Sequence, residues 1–108
     1  MSNRNRERKN SYINITTKSG FTCKVDPEKL DDWEFMKAIV KTENGTDAEK
    51  LSSMMYIANY LLGDNGEKRL ADHLRNEKGV TPTSAMTNEI IEIFLLIKAN
   101  TKKSQPSQ

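Results

Sequence analysis

The sequence predicts an α+β domain that is mainly α, with an N-terminal β-hairpin packed on a bundle of about four helices. Three observations predict this fold. Only residues 12–25 carry the alternating, β-branched pattern of strands, whereas apolar residues recur at helical spacing from there to about residue 100. Capping residues, glycines and prolines divide the second part into helix-length segments. A chain of 108 residues supports one domain with one core.

The predicted hairpin occupies residues 12–25. Tyr12 to Thr17 favours a strand, Lys18-Ser19-Gly20 favours a turn, and Phe21, Cys23 and Val25 alternate with polar residues. A two-stranded sheet is marginal in isolation, so the apolar face of the hairpin is expected to pack on the helices.

The first helix is expected to begin near Asp31, because Asp31 and Glu34 have capping-box spacing, although Asp26-Pro27 offers an earlier start. Asn44-Gly45 ends it. Thr46 and Glu49 form another capping box that opens the second helix, and Gly63 closes it. The apolar residues that share one face are Trp33, Met36, Ile39 and Val40 in the first helix, and Leu51, Met54, Met55, Ala58, Leu61 and Leu62 in the second.

Asp64 can cap a short third helix, which residues 76–79 close, and Thr81-Pro82 is typical of a cap followed by a first helical residue. Ile91 and Leu95 lie off the inward stripe of the fourth helix. That helix is therefore either buried on two sides or offers apolar surface to a partner. The apolar positions of the third helix are Leu70, Ala71 and Leu74, and the inward face of the fourth is expected to hold Met86, Ile90, Ile93, Phe94 and Ile97.

The two ends of the chain differ from its middle. Residues 1–11 are expected to form a disordered basic tail and residues 101–108 a flexible tail, which leaves a single domain at 12–100. Residues 1–9 and 98–108 each carry a net charge of +3, so the overall charge of +2 leaves −4 for residues 10–97. An acidic body is a poor match to a folded nucleic-acid-binding face, and the N-terminal arginines are interpreted as a solubilising tail.

Several functional classes lack a sequence signal. No secretory signal is present, and the longest apolar run, residues 93–97, is far shorter than the roughly 20 residues of a membrane span. A lone cysteine, Cys23, fits a reducing cytoplasm. No phosphate-binding loop or nucleophile elbow is found, and the only histidine, His73, has no converging ligands, so a structural role is expected. The sequence therefore predicts no catalytic, cofactor-binding or metal-binding residue.

An ordered set of short motifs covers about three quarters of the chain, from Gly20 to Phe94. This set resembles the tail assembly chaperones of phages with long non-contractile tails. The motifs are Leu30-Asp31-Asp32-Trp33-Glu34, Leu61-Leu62-Gly63, Leu70-x-x-His73-Leu74-Arg75, Gly79-Val80-Thr81-Pro82, Met86 and Glu92-Ile93-Phe94.

The resemblance implies a non-enzymatic phage or prophage protein of the host bacterial cytoplasm. It would bind the tape measure protein, promote assembly of tail tube protein around it, and leave before the tail is complete. Many relatives also have a longer, frameshifted form, and residues 101–108 are compatible with the short form. The unusually basic N-terminus departs from the family pattern.

Protein-protein contact residues are expected beside the core stripes. Tyr56 and Tyr60, four residues apart on a flank of the second helix, are suited to an amphipathic rim, and Ile91 and Leu95 supply the surplus apolar surface of the fourth. Homo-oligomers are compatible with this surface. Two other functions are alternatives to that of a tail assembly chaperone. One is that of a head–tail structural or connector protein, and the other is that of a small nucleic-acid-binding regulator that uses Arg4, Arg6, Arg8 and Lys9.

Overall fold

The computed structural model describes residues 12–104, with side chains as far as residue 100. It contains one two-stranded antiparallel sheet and four α-helices, which confirms the predicted fold class. The expected basic tail at 1–11 lies outside the described residues. In chain order the elements are β1 (Ile13–Thr16), β2 (Thr22–Val25), a 3₁₀ helix (Pro27–Leu30), α1 (Trp33–Asn44), α2 (Asp47–Leu62), α3 (Gly66–Leu74) and α4 (Thr83–Ser104).

The predicted hairpin and its turn are confirmed. β1 and β2 pair with Ile13 opposite Val25 and Thr16 opposite Thr22. The turn is closed by the Gly20 N–H, which donates to the Thr17 carbonyl at 2.9 Å. Gly20 has φ of 92°, a left-handed conformation that glycine adopts without a steric penalty.

The start of α1 differs from the sequence expectation. Asp26 caps the 3₁₀ helix by accepting from the Glu28 N–H, and Asp32, not Asp31, caps α1 by accepting from the Phe35 N–H at 3.0 Å. Of the two expected start signals, Asp26-Pro27 is thus used, for the 3₁₀ helix. The predicted capping box of Asp31 and Glu34 was wrong by one position because the intervening 3₁₀ turn shifts the first α-helical residue to Trp33.

The apolar face expected for α1 is mostly exposed, although its member Ile39 packs against the core. Phe35 and Ala38 are buried, whereas Trp33, Met36 and Val40 are 76%, 46% and 52% exposed. α1 therefore carries apolar residues on two opposite faces. Periodicity identifies such stripes but cannot decide which of two the core will use.

The ends of α2 match the prediction, but its apolar stripe is rotated. Thr46 and Glu49 form a reciprocal capping box, and Gly63 follows the last residue with φ of 88°. Leu51 and Met55, two members of the expected apolar stripe, are exposed, while Ser53 and Ile57 are buried instead. Ala58, Leu61 and Leu62 are buried as expected, and Met54 packs against the core.

α3 crosses α2 closely, and the crossing depends on Gly66. A Cβ atom added there would lie 2.5 Å from Leu62 Cβ and 3.0 Å from the Ala58 carbonyl oxygen. The predicted cap, Asp64, was wrong: α3 begins at Gly66 after Asn65, which has φ of 61°. The side chain that satisfies the start of α3 comes from α2, because Asn59 Oδ1 accepts from the Glu67 N–H at 2.9 Å.

α4 begins one residue later and extends further than expected. Thr81, predicted as its cap, donates its hydroxyl to the Ala71 carbonyl of α3 at 2.9 Å, and the helix starts at Thr83. The first helical hydrogen bond runs from the Met86 N–H to the Pro82 carbonyl, at 3.2 Å. Pro82 therefore precedes the helix and is not its first residue. The backbone remains helical to Ser104, beyond the expected domain boundary at residue 100.

The core lies between the hairpin and the four helices. Its largest fully buried side chains are Ile15 and Val25 from the hairpin, Phe35, Ile57 and Leu70 from α1, α2 and α3, and Ile93 and Ile97 from α4. Ile90 of the predicted α4 stripe is also buried, and Met86 and Phe94 of the same stripe pack against the core. Within residues 12–104, no helix is long and apolar enough to cross a lipid bilayer.

Candidate docking surface

Tyr56 and Tyr60, two of the expected contact residues, lie one turn apart on α2 and stack on each other. Their ring centroids are 5.6 Å apart and the planes are inclined by 9°. Tyr56 is 41% exposed, whereas Tyr60 is partly buried against the core. An offset aromatic pair of this kind is rigid and presents both apolar faces and hydroxyl groups, as protein interfaces commonly do.

The tyrosine pair continues into a longer row of aromatic rings. Tyr60 stacks on Phe35 of α1 at 5.9 Å, and Phe35 contacts Phe94 of α4 at 6.0 Å. We call Tyr56, Tyr60, Phe35 and Phe94 the aromatic seam. It joins three helices, and its members range from the exposed Tyr56 to the fully buried Phe35.

Two lysines stand over the aromatic seam. The Lys29 amine lies 4.9 Å from the Tyr60 ring centroid and donates to the Tyr60 carbonyl at 2.9 Å, while the Lys98 amine lies 5.3 Å from the Phe94 centroid. Cation–π attraction favours these positions. Neither lysine was predicted from the sequence. Lys29 lies 31 residues from Tyr60, so only the tertiary fold brings them together. Lys98 follows Phe94 by four positions on α4, a helical spacing from which this contact could have been predicted.

The Tyr60 hydroxyl is tied to the start of α1. Burial raises the pKa of Tyr60, and the Asp32 carboxylate, which accepts a hydrogen bond from the hydroxyl, raises it further. Asp32 thus caps α1 and fixes the Tyr60 ring at the same time. The edge of the aromatic seam is therefore preorganised, which lowers the entropy cost of binding.

Ile91 and Leu95, the other two expected contact residues, are 46% and 54% exposed on α4. Their exposure agrees with their predicted position off the core stripe. Ile91 lies one turn before Phe94 and about 60° around the helix, and Leu95 follows Phe94 by about 100°. Tyr56 and Tyr60 thus belong to the aromatic seam, whereas Ile91 and Leu95 are exposed on α4, the helix that also carries Phe94.

A separate polar cluster attaches the hairpin turn to α4. Glu89 is 6% exposed, and its Oε2 accepts from the Thr17 hydroxyl and, at 2.6 Å, from the Ser19 hydroxyl. The neighbouring Glu92 accepts from the Lys18 N–H at 2.9 Å. We call Thr17, Ser19 and Glu89 the hairpin clamp. Sequence spacing gave no signal for it, since the turn and α4 are 70 residues apart.

His73 borders the hairpin clamp but is not arranged as a catalytic base. Its Nε2 lies 3.1 Å from the Ser19 carbonyl oxygen and 3.0 Å from Ser19 Oγ. A carbonyl oxygen can only accept, so the contact with the Ser19 carbonyl is a hydrogen bond in the tautomer whose Nε2 carries the proton. Ser19 directs its own hydroxyl proton to Glu89, whereas a catalytic serine passes it to the histidine. The ring also packs on Phe21 at 5.3 Å, which is the structural role expected from the sequence.

Cys23 is a half-buried thiol in β2 that packs against the core. Burial raises its pKa, and Glu89 adds to this effect while Arg69 opposes it. A raised pKa disfavours the reactive thiolate, which agrees with the expected packing role. Among residues 12–104, no group of three or more histidine, cysteine or acidic side chains could hold a metal ion.

Comparison with known proteins gave no relative for this chain: no family model, no curated protein and no solved structure matches it.

Proposed function

We propose that this protein is a non-enzymatic phage tail assembly chaperone that binds the tape measure protein in the host bacterial cytoplasm and promotes tail tube assembly. The observation that carries the proposal is the aromatic seam together with Ile91 and Leu95. Tyr56, Ile91 and Leu95 are exposed, and Tyr56 is joined through Tyr60 to the buried Phe35 and to Phe94 of α4. The ordered motifs between Gly20 and Phe94 are what direct the proposal to tail assembly chaperones.

The surface suits an amphipathic helix as partner. Such a helix exposes apolar residues every three or four positions and aggregates until that stripe is covered. Stacked tyrosines and aliphatic side chains can cover it, while Lys29 and Lys98 attract acidic residues at its edge. A tape measure protein is long, so many copies can bind side by side, each weakly and together with high avidity.

The test is coexpression with the tape measure protein of the same genome. In the quadruple variant Y56S/Y60S/I91S/L95S we expect the tape measure protein to move into the insoluble fraction and to be lost from affinity pull-downs. The matched control is Leu51→Ser, because Leu51 is 57% exposed on α2 but lies about 140° around the helix from Tyr56. The control is expected to keep the tape measure protein soluble.

Folding must be separated from binding in this test. Tyr60 touches Phe35, so its replacement can lower stability. The double variant Y56S/L95S changes only exposed side chains, and circular dichroism should give it a wild-type spectrum. If this folded variant still solubilises the tape measure protein as well as wild type, the docking surface is wrongly assigned.

The content of purified virions separates the proposed role from that of a head–tail structural protein. A chaperone leaves before the tail is complete, so mass spectrometry of virions should find tube and tape measure proteins without this chain. Stoichiometric amounts in the particle would favour the structural role instead.

A further inference from the structure

The chain contains two Asn-Gly sequences, Asn44-Gly45 and Asn65-Gly66, at which a spontaneous covalent change is chemically possible. The backbone nitrogen of the glycine can attack Cγ of the preceding asparagine, and glycine hinders this attack least because it has no side chain. The new C–N bond closes a succinimide ring, while the Cγ–Nδ2 bond breaks and ammonia leaves with the proton of the glycine N–H. Water then opens the ring to aspartate or isoaspartate.

Asn44-Gly45 lies where α1 ends. Asn44 is the last residue of the helix, and its exposed side chain makes no hydrogen bond to another described residue. The peptide group between the two residues makes one backbone hydrogen bond within the described chain, from the Gly45 N–H to the Lys41 carbonyl at 3.0 Å. Helix ends open at little free-energy cost. Opening of this one bond frees the attacking nitrogen and the torsion that brings it to the side chain.

The close neighbours of Gly45 do not prevent this opening. A Cβ atom added at Gly45 would lie 2.8 Å from the Lys41 carbonyl oxygen and 2.9 Å from the Glu49 side chain. The Lys41 carbonyl moves apart from Gly45 when their hydrogen bond opens. Glu49 is exposed, so its side chain can move into solvent when it gives up its hydrogen bond from the Thr46 N–H. Both obstacles are therefore groups that move when the end of α1 opens.

Asn65-Gly66 is held more firmly, although Asn65 is also exposed and its side chain caps no helix. The N–H and the carbonyl of the peptide group between them are both bonded. The Gly66 N–H donates to the Gly63 carbonyl at 2.8 Å, and the Asn65 carbonyl accepts from the Arg69 N–H at 2.9 Å. Gly66 is also buried against α2. Rotation at Asn65 would therefore separate α3 from α2, which costs more free energy than opening a helix end.

We propose that Asn44 is a site of spontaneous deamidation in the folded protein, through a succinimide formed with the Gly45 nitrogen, and that the fold protects Asn65 from the same reaction. Isoaspartate lengthens the main chain by a methylene group, and only Gly45 and Thr46 separate α1 from α2. Thr46 is also the capping residue of α2. The isoaspartate form is therefore expected to hold α1 against α2 less firmly.

Incubation of the full chain at mildly alkaline pH, followed by pepsin digestion in acid and peptide mass spectrometry, tests the proposal. In the folded protein Asn44 should be converted roughly tenfold faster than Asn65, or more, because its peptide group opens more readily. In urea the two rates should become similar, because both asparagines then precede glycine in an unfolded chain. Equal rates in the folded protein would overturn the proposal. So would conversion of Asn44 no faster than that of Asn76, an exposed asparagine that precedes Glu77.

The products and two variants identify the route. A succinimide yields isoaspartate as well as aspartate, whereas direct hydrolysis of the side chain yields aspartate alone, so absence of isoaspartate at position 44 contradicts the ring closure. Asn44→Gln should abolish the reaction at this position, because glutamine closes the corresponding ring far more slowly. Asn65→Gln is the matched control and should leave conversion of Asn44 unchanged.

The consequence for the fold is measured on the converted protein. Anion exchange separates it from the starting protein, because deamidation adds a negative charge. Its isoaspartate form should unfold at a lower urea concentration than the starting protein. An equal midpoint would contradict the loosening of the connection between α1 and α2.

Discussion

The hairpin clamp makes a quantitative prediction about Glu89. Leucine is close to glutamate in size, so Glu89→Leu changes mainly the polarity of the side chain. Thr17 is only 4% exposed, and its hydroxyl would lose its carboxylate acceptor. A hydrogen bond to a charged group contributes about 1.5–3 kcal/mol, and Glu89 accepts two of them. Relief of carboxylate burial offsets part of this loss, so we expect the free energy of unfolding to fall by about 2–4 kcal/mol.

Urea denaturation followed by circular dichroism measures this change, and thermal unfolding should show a fall in Tm of roughly 10–20 °C. Glu89→Gln keeps an acceptor oxygen of the same reach, so its cost should be smaller, about 1–2 kcal/mol. Glu92→Gln is the matched control, since Glu92 accepts one exposed bond from the Lys18 N–H and its replacement should cost less than about 1 kcal/mol. If Glu89→Leu costs no more than Glu92→Gln, the hairpin clamp does not hold the hairpin to α4.

Three further predictions concern packing, capping and titration. Gly66→Ala should lower the free energy of unfolding, measured by urea denaturation, by about 1–3 kcal/mol. The added Cβ meets Leu62 and Ala58, and this outweighs the better helix propensity of alanine. An unchanged or raised stability would contradict the close crossing of α2 and α3. Thr46→Ala should lower the free energy of unfolding in urea by about 1 kcal/mol, because Thr46 caps α2. Asp64→Ala should leave it almost unchanged, because Asp64 caps no helix. Equal losses of stability in the two variants would contradict this assignment. The Cys23 thiol should be alkylated more slowly in the folded protein than in urea, with a midpoint above pH 9.0. Because its folded pKa is raised, its contribution to stability is complete below pH 9.0 and is lost as the pH rises through the folded value, and Cys23→Ala should remove that loss.

Local signals in the sequence predicted most of the fold. The hairpin turn, the Thr46 capping box and the end of α2 at Gly63 depend on neighbouring residues, and each formed as expected. The start of a helix was less predictable where a side chain from another helix accepts its first N–H groups. Asp64 lost its capping role because Asn59, a residue of α2, already satisfies the start of α3.

The candidate site was predictable only in part. Ile91 and Leu95 were found because α4 has more apolar residues than one face can bury. The exposure of Trp33 and Val40 was missed because they have the composition of a core face, and only burial distinguishes them from Phe35 and Ala38. The contact of Lys29 with Tyr60 and the hairpin clamp join distant parts of the chain, which periodicity does not encode.

The affinity of the Y56S/L95S variant for the tape measure protein tests the central claim most directly. Exposed aromatic and aliphatic anchors at an interface each contribute about 1–2 kcal/mol, so isothermal titration against a soluble tape measure fragment should show a Kd raised roughly 30-fold or more, with an unchanged circular dichroism spectrum. Leu51→Ser should bind like wild type. Equal affinity of Y56S/L95S and wild type for the tape measure fragment would contradict the assignment of the aromatic seam and the outer face of α4 as the docking surface.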